Sequence, residues 1–163
     1  MKINSLKRRT FSETIGWVIA TWFGSGCAPK APGTVGSFCS LPLLLVGLLG
    51  GQQTLLITVG ILFLVGWWAT AVVLRTQTAQ DPGFVVIDET VGQTLTFLLV
   101  VGQPMNWIIP VAGFLLFRFF DIIKLWPASF FDKQVHSAFG VMMDDVIAGL
   151  YAALILYGLT FII

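Results

Sequence analysis

An all-α, membrane-embedded fold is what this chain predicts, and three observations carry the prediction. Apolar residues make up 56% of its 163 residues and charged residues only 10%, against roughly 25% in a soluble domain. So few charges cannot cover a water-facing surface. The charges are also segregated: all nine basic and eight acidic residues fall within residues 1–36, 75–89 and 118–145. Between those stretches lie uncharged apolar blocks, several about as long as a bilayer is thick. The expected architecture is a polytopic helical bundle of about four to five membrane helices, since each span needs ~20 apolar residues, plus an N-terminal interfacial helix. The length is near the ~150 residues typical of one domain, so residues 1–163 are read as a single domain.

The elements follow in order. Lys2, Lys7, Arg8 and Arg9 form a basic tail that belongs on the cytoplasmic side. The apolar stretch after it is short and broken by Gly24, Gly26 and Pro29, which argues against a signal peptide. Residues 11–23 predict a short helix with Trp17 and Trp22 suited to the interface. Residues 24–37, GSGCAPKAPGTVGS, hold four glycines and two prolines and predict a loop. The apolar segment 38–50, extended back to Thr34, gives 17 residues, or ~25 Å of helix, enough to span with some thinning. GGQQ at 50–53 is an uncharged turn, and 54–74 is the clearest spanning helix.

The block 90–117 is interrupted by GQPMN at 102–106. Pro104 removes a backbone donor and restricts Gln103, so two helices joined by a turn are expected. Both uncharged turns then fall on one side and all three charged stretches on the other, which the positive-inside rule makes cytoplasmic. The last helix is expected over 146–163, opened by Asp144 and Asp145. Cys27 and Cys39 form no C-x-x-C pair and are read as unpaired packing residues. A net charge of +1 gives no basic field for nucleic acid.

Four constellations carry candidate chemistry. PGTVGS, residues 32–37, opens a helix: Gly33 and Gly36 permit close backbone approach, and free N–H groups there favour an anion. Thr34 or Ser37 would cap the helix, and a plain capped turn is the simpler account of this motif alone. In DPGFVVIDE, Asp81 begins a turn and Asp88 and Glu89 start an apolar helix. The helix dipole favours acids there, but two adjacent carboxylates beside hydrocarbon repel unless a cation joins them, and a hard divalent ion such as Mg²⁺ takes such ligands. In RFFDIIK, three-residue spacing puts Arg118, Asp121 and Lys124 on one helix face, either as an ion-pair ladder or as phosphate-holding cations with Asp121 orienting them. MDDVIAG brings Asp144 and Asp145 to a helix rich in small residues. His136 lies in the preceding loop and could serve as acid or base. Ionisable groups near hydrocarbon are expensive and read as functional. Neither a cysteine-phosphatase spacing, a histidine pair nor a P-loop is present.

The three segments GSGCAPKAPGTVGS (24–37), DPGFVVIDETVG (81–92) and 118–149, with FDIIK and FDKQVHSAFGVMMDDVIAG, together resemble the phosphatidylglycerophosphatase A family of bacteria. The resemblance covers most of the chain, in order and at similar spacing. It implies an all-helical Mg²⁺-dependent enzyme of the bacterial inner membrane, its site facing the cytoplasm, that hydrolyses the terminal phosphate of phosphatidylglycerophosphate. The family's acidic positions map to Asp81, Asp88, Glu89, Asp121, Asp144 and Asp145, and its basic ones to Arg118 and Lys124. Ser137 and Ala138 stand where the family commonly has glycines, Leu125 where it has proline, and Ile87 where it often has an aromatic. On this reading Asp88, Glu89, Asp144 and Asp145 hold the metal, and Arg118 and Lys124 hold phosphate oxygens. Residues 32–37 supply backbone donors, and Asp121 activates water or acts as nucleophile. A cation transporter using the same carboxylates is the competing class; it would place ionisable groups at mid-membrane, where this chain has none. A structural subunit of a larger complex would leave the three motifs unexplained.

Overall fold

The computed structural model describes residues 10–76 and 82–162. The basic tail (Lys2, Lys7, Arg8, Arg9) and Asp81 lie outside the described residues, which are helical apart from their connecting turns. In chain order the helices are α1 (Phe11–Ala20), α2 (Pro32–Ser40), α3 (Leu44–Thr76), α4 (Ile87–Thr96), α5 (Ile108–Ile123), α6 (Ala128–Gln134) and α7 (Ala138–Leu159).

α1 starts at a capping box. Thr10 Oγ1 accepts from Glu13 N at 3.4 Å, and the Glu13 carboxylate accepts from Thr10 N at 2.7 Å. The helix stops at Ala20, short of the expected Phe23, because Trp22, Phe23 and Gly24 all take positive φ. α2 begins at Pro32, whose missing N–H costs nothing in a first turn. Its N-cap is Ala31, in a left-handed conformation without a side-chain cap, so neither Thr34 nor Ser37 caps it as expected. The GGQQ turn is sharper than its four residues suggest. Gly51 has φ 80° and ψ 177°, a conformation essentially reserved for glycine. A Cβ on Gly47 would lie 3.3 Å from Leu55 Cβ. Residues eight apart on a straight helix are ~12 Å apart, so the chain folds back on itself at Gly51.

α4 and α5 form the expected pair of helices across 102–106, though the connection runs from Phe97 to Trp107. They are antiparallel: Gly92 faces Phe117 while Phe97 faces Gly113. The Gly51 turn and this connection meet at one end of the molecule, where Leu44, Leu55, Val100, Val101 and Leu156 share a cluster. α4 is only ten residues long, and nine of them are buried. Its threonines satisfy their own hydroxyls along the helix: Thr90 donates to Val86 O at 3.0 Å, Thr94 to Thr90 O at 2.7 Å and Thr96 to Gly92 O at 2.9 Å.

α7 departs from expectation. It begins at Ala138, with Ser137 Oγ accepting from Gly140 N at 3.3 Å as N-cap. Asp144 and Asp145 therefore lie inside the helix, about two turns from its start, and do not open it. α7 runs parallel to α4 and touches it through backbone: a Cβ on Gly149 would collide with the Gly92 carbonyl, and one on Gly92 would sit 2.5 Å from Asp145 O.

Among the described residues, two stretches, Pro32–Thr76 and Ala138–Leu159, are long and apolar enough to cross a membrane. The first turns most of its apolar surface outward, with Leu49, Leu56, Ile57, Ile61, Leu64 and Trp68 exposed. Contiguous apolar surface on this scale marks a protein that associates with a membrane.

The Gly92–Gly149 contact yields a direct test. Gly149→Val should lower the thermal unfolding midpoint of the detergent-solubilised protein, corresponding to ~1–3 kcal/mol of overpacking. Gly158→Ala, which has open space around it, should leave the midpoint unchanged or raise it. A Gly149→Val midpoint equal to wild type would show that the two backbones need not touch.

Candidate active site

The end of the molecule opposite the uncharged turns collects the acids. Val86 N donates to Ala20 O at 2.8 Å, which sets where α4 starts. Its first turn carries Asp88 and Glu89, and the Asp88 carboxylate accepts from Glu89 N at 3.0 Å. From α7, Asp145 joins them: one carboxylate oxygen each from Asp88, Glu89 and Asp145 lies within 4.8 Å of the others. Asp88 and Asp145 are 7% and 3% exposed.

Asp144, expected in the same group, turns away from it. Its Oδ2 accepts from Lys124 Nζ at 2.6 Å, and its Oδ1 from Asp145 N at 3.0 Å. Lys124 corrects a second expectation. It is the C-cap of α5 in a left-handed conformation, φ 49° and ψ 63°, so it leaves the helix face it was expected to share with Asp121. Its ammonium instead bridges Asp144 and Asp132, both at 2.6 Å. Asp132 belongs to α6, a helix too short to be read from periodicity. Burial alone would lower the Lys124 pKa; the carboxylates of Asp144 and Asp132 outweigh it and hold the ammonium well above its usual range.

The Arg118–Asp121 pair forms as the spacing implies, Nη1 to Oδ2 at 2.5 Å. The same Nη1 lies 3.9 Å from Glu89 Oε1 and donates to Ser37 Oγ at 3.4 Å. Ser37 Oγ in turn donates to Gly33 O at 2.8 Å. Arg118 thus ties α2, α4 and α5 together at one guanidinium. The glycines of residues 32–37 serve packing here. A Cβ on Gly33 would strike Glu89 Oε1, and one on Gly36 would press on Val86. Thr34 is half-buried in the first turn of α2, and His136 is exposed in the turn before α7. Cys27 and Cys39 are free thiols as expected, but both are exposed and not packed in the interior, which corrects their reading as packing residues.

Charge balance is the site's main property. Among the described residues, six carboxylates (Asp88, Glu89, Asp121, Asp132, Asp144, Asp145) stand among two cations (Arg118, Lys124), a net charge of −4 if all are ionised. Glu89, on a helix outside both candidate spans, shows the consequence. Burial pushes its carboxyl up to about 8, with Asp145 and Asp121 adding to the rise against the opposing pull of the Asp88 contact and Arg118. Buried polar atoms without a partner gather here too: Glu89 Oε2, Arg118 Nε and both amide atoms of Gln93. Gln93 was not among the residues the sequence singled out; its position four after Glu89 was the available signal.

The fit to a divalent cation rests on the donors. Ligand oxygens around Mg²⁺ at ~2.1 Å stand roughly 3 to 4.2 Å apart, so the Asp88–Glu89–Asp145 group needs only slight closure, and all its donors are hard oxygens.

The family model described as Phosphatidylglycerophosphatase A matches residues 18–160. A Phosphatidylglycerophosphatase A of Haemophilus influenzae is 35% identical over 160 residues, covering 97% of this chain and 96% of the relative. The Escherichia coli protein of the same name is 34% identical over 142 residues, covering 86% and 80%. A Bacteroides thetaiotaomicron protein with the provisional name phosphatidylinositol-3-phosphatase is 35% identical over 156 residues, covering 93% and 95%. No solved structure matches.

The two partners of Lys124 should respond differently to substitution. Asp144 is the more buried, its side chain 7% exposed against 31% for Asp132. Lys124→Met strands a buried carboxylate and should cost about 3–5 kcal/mol. Asp132→Asn should cost about 1 kcal/mol or less. Chemical unfolding of the two variants in detergent checks the order, and equal losses would mean that the Asp144 pair adds nothing to the Asp132 pair.

Proposed function

The chain belongs to the phosphatidylglycerophosphatase A family, and from that membership we propose that it hydrolyses the terminal phosphomonoester of phosphatidylglycerophosphate with the help of Mg²⁺. It is a phosphatase of phospholipid metabolism, as its named relatives are. The observation that carries the metal half of the reading is the convergence of Asp88, Glu89 and Asp145 from two helices onto one point. These three residues would hold the ion. When bound, it supplies Lewis-acid polarisation of the phosphoryl group and neutralises charge that builds up as the ester bond breaks.

The chain's own residues account for the rest. Arg118 sits beside the carboxylate group, where a planar guanidinium can hold two non-bridging phosphate oxygens, and its contact with Asp121 fixes its orientation. Lys124, pinned between Asp132 and Asp144, supplies a second fixed positive charge. Asp121 also faces Asp145 and is the carboxylate left to take a proton from the attacking water. Water adds to phosphorus, the bond from phosphorus to the glycerol oxygen breaks, and the proton that Asp121 took passes to that oxygen, giving phosphatidylglycerol and inorganic phosphate. The first-turn N–H groups of Gly33 and Thr34, uncapped by any side chain, are further donors for a phosphate oxygen.

In the membrane we read four full-length spans, 32–50, 52–76, α5 and α7, around the short α4, which carries the chain back to the far end before α5, with α1 at the interface. The protein is then a multi-pass protein of the bacterial inner membrane with its charged end in the cytoplasm. Acyl chains stay in the bilayer while the head group enters the charged end. The ionisable groups gather at that end, away from mid-depth, so a transport path has no observation in its favour.

The first experiment is phosphate release from phosphatidylglycerophosphate by the purified, detergent-solubilised protein, with Mg²⁺ and with a chelator. Release should require Mg²⁺, and Asp88→Asn and Asp145→Asn should each cut it by roughly 10²-fold or more, the scale of losing one electrostatic group. Activity untouched by the chelator would overturn the metal role. Phosphatidylinositol 3-phosphate, run in parallel, should be the poorer substrate; preference for it would move the assignment to the inositol lipid.

A further inference from the structure

Gln93 is fully enclosed, 0% exposed, yet neither atom of its amide has a hydrogen-bond partner. Leaving such a group unpaired is destabilising, and an apolar residue would fill the same space without that cost. The other uncharged polar side chains of α4 are not left this way. Thr90, Thr94 and Thr96, its neighbours on α4, all place their hydroxyls on helix carbonyls.

The position explains the exception. Gln93 follows Glu89 by four residues, so the two share one face of α4. Cα–Cβ bonds tilt toward the N-terminus of a helix, which aims the Gln93 side chain back along that face toward Glu89. Glu89 Oε2 is itself buried and without a partner. An orphaned donor and an orphaned acceptor therefore stand one turn apart on one face, and the acceptor belongs to the carboxylate group formed with Asp88 and Asp145.

We infer that Gln93 is a positioning residue for Glu89. Its amide NH₂ donates, directly or through one bound water, to the Glu89 oxygen that faces away from the ion, and so fixes the orientation of the other oxygen as a ligand. The inference rests on the divalent-cation reading above. An amide suits this role because it offers donors without charge. A lysine or arginine in its place would neutralise Glu89 and compete with the ion. Carboxylate ligands are themselves hydrogen-bonded by such outer residues, and losing one lowers metal affinity by roughly 10- to 100-fold.

The test compares wild type with Gln93→Met and Gln93→Leu, two apolar replacements of different shape, in the full-length protein in detergent. Mg²⁺ affinity is measured by calorimetry, and the thermal midpoint is measured in chelator. Both variants should keep or exceed the wild-type metal-free midpoint, because an unpaired buried amide has been removed. Both should also bind Mg²⁺ roughly 10- to 100-fold more weakly. Unchanged Mg²⁺ affinity overturns the inference, and so does a lowered metal-free midpoint, since the amide would then be holding the fold. Absence of saturable Mg²⁺ binding by wild type defeats the cation reading itself, a result distinguishable from failure of the Gln93 role alone.

Discussion

Backbone contact between Gly92 and Gly149 sets the distance between α4 and α7, and the site is a consequence of that distance. The helices run parallel, so residues at equal offsets from the contact stand level. Asp88 precedes Gly92 by four residues and Asp145 precedes Gly149 by four. Each acid is therefore one turn above the crossing, and the two are brought together by helix geometry alone. A side chain at either glycine would push the helices apart and open the carboxylate group. Small residues that let helices meet are the usual device for close packing in a membrane; here the same device fixes a charge cluster.

The arrangement is costly, and the surrounding residues show how the cost is contained. Like charges held close and away from water repel strongly. Arg118 and Lys124 come from the end of α5, one on its last turns and one just past its terminus. Arg118 spreads its contacts over Asp121, Glu89 and Ser37. Lys124 takes Asp144 out of the crowded group by pairing with it, and Asp132 reaches the same ammonium from α6. Asp144 and Asp145 are adjacent in sequence yet divide between two roles, because successive helical residues point ~100° apart.

Much of this was legible in the residues, and the failures have physical causes. Glycine and proline punctuation located both uncharged turns, because Gly51 and the connection around Pro104 depend on local backbone chemistry. The ionisable residues that converge were recognisable because each sits beside an apolar run where a charge is out of place. The start of α7 was misjudged by reasoning from the helix dipole, which favours acids at a helix N-terminus. Asp144 and Asp145 answer to tertiary partners instead, and the true start at Ser137 is marked only by a cap. The partners of Lys124 were hidden because one left-handed residue breaks the three-residue periodicity that pointed to Asp121. Asp132 rides on a seven-residue helix with too few turns to show a pattern. Gln93 escaped notice because it is uncharged, and only its burial makes it conspicuous.

The two turns at the far end of the molecule, around Gly51 and across 97–107, contain no ionisable residue. In a multi-pass protein those turns must be carried through the hydrocarbon while the chain is being inserted. Each aspartate, lysine or arginine dragged to the bilayer centre would cost about 2.5–3.5 kcal/mol. On the topology proposed above, the charged end would stay behind on the side of synthesis. On that topology each helical hairpin would enter as a neutral unit, and the charged end would assemble afterwards from groups that never crossed.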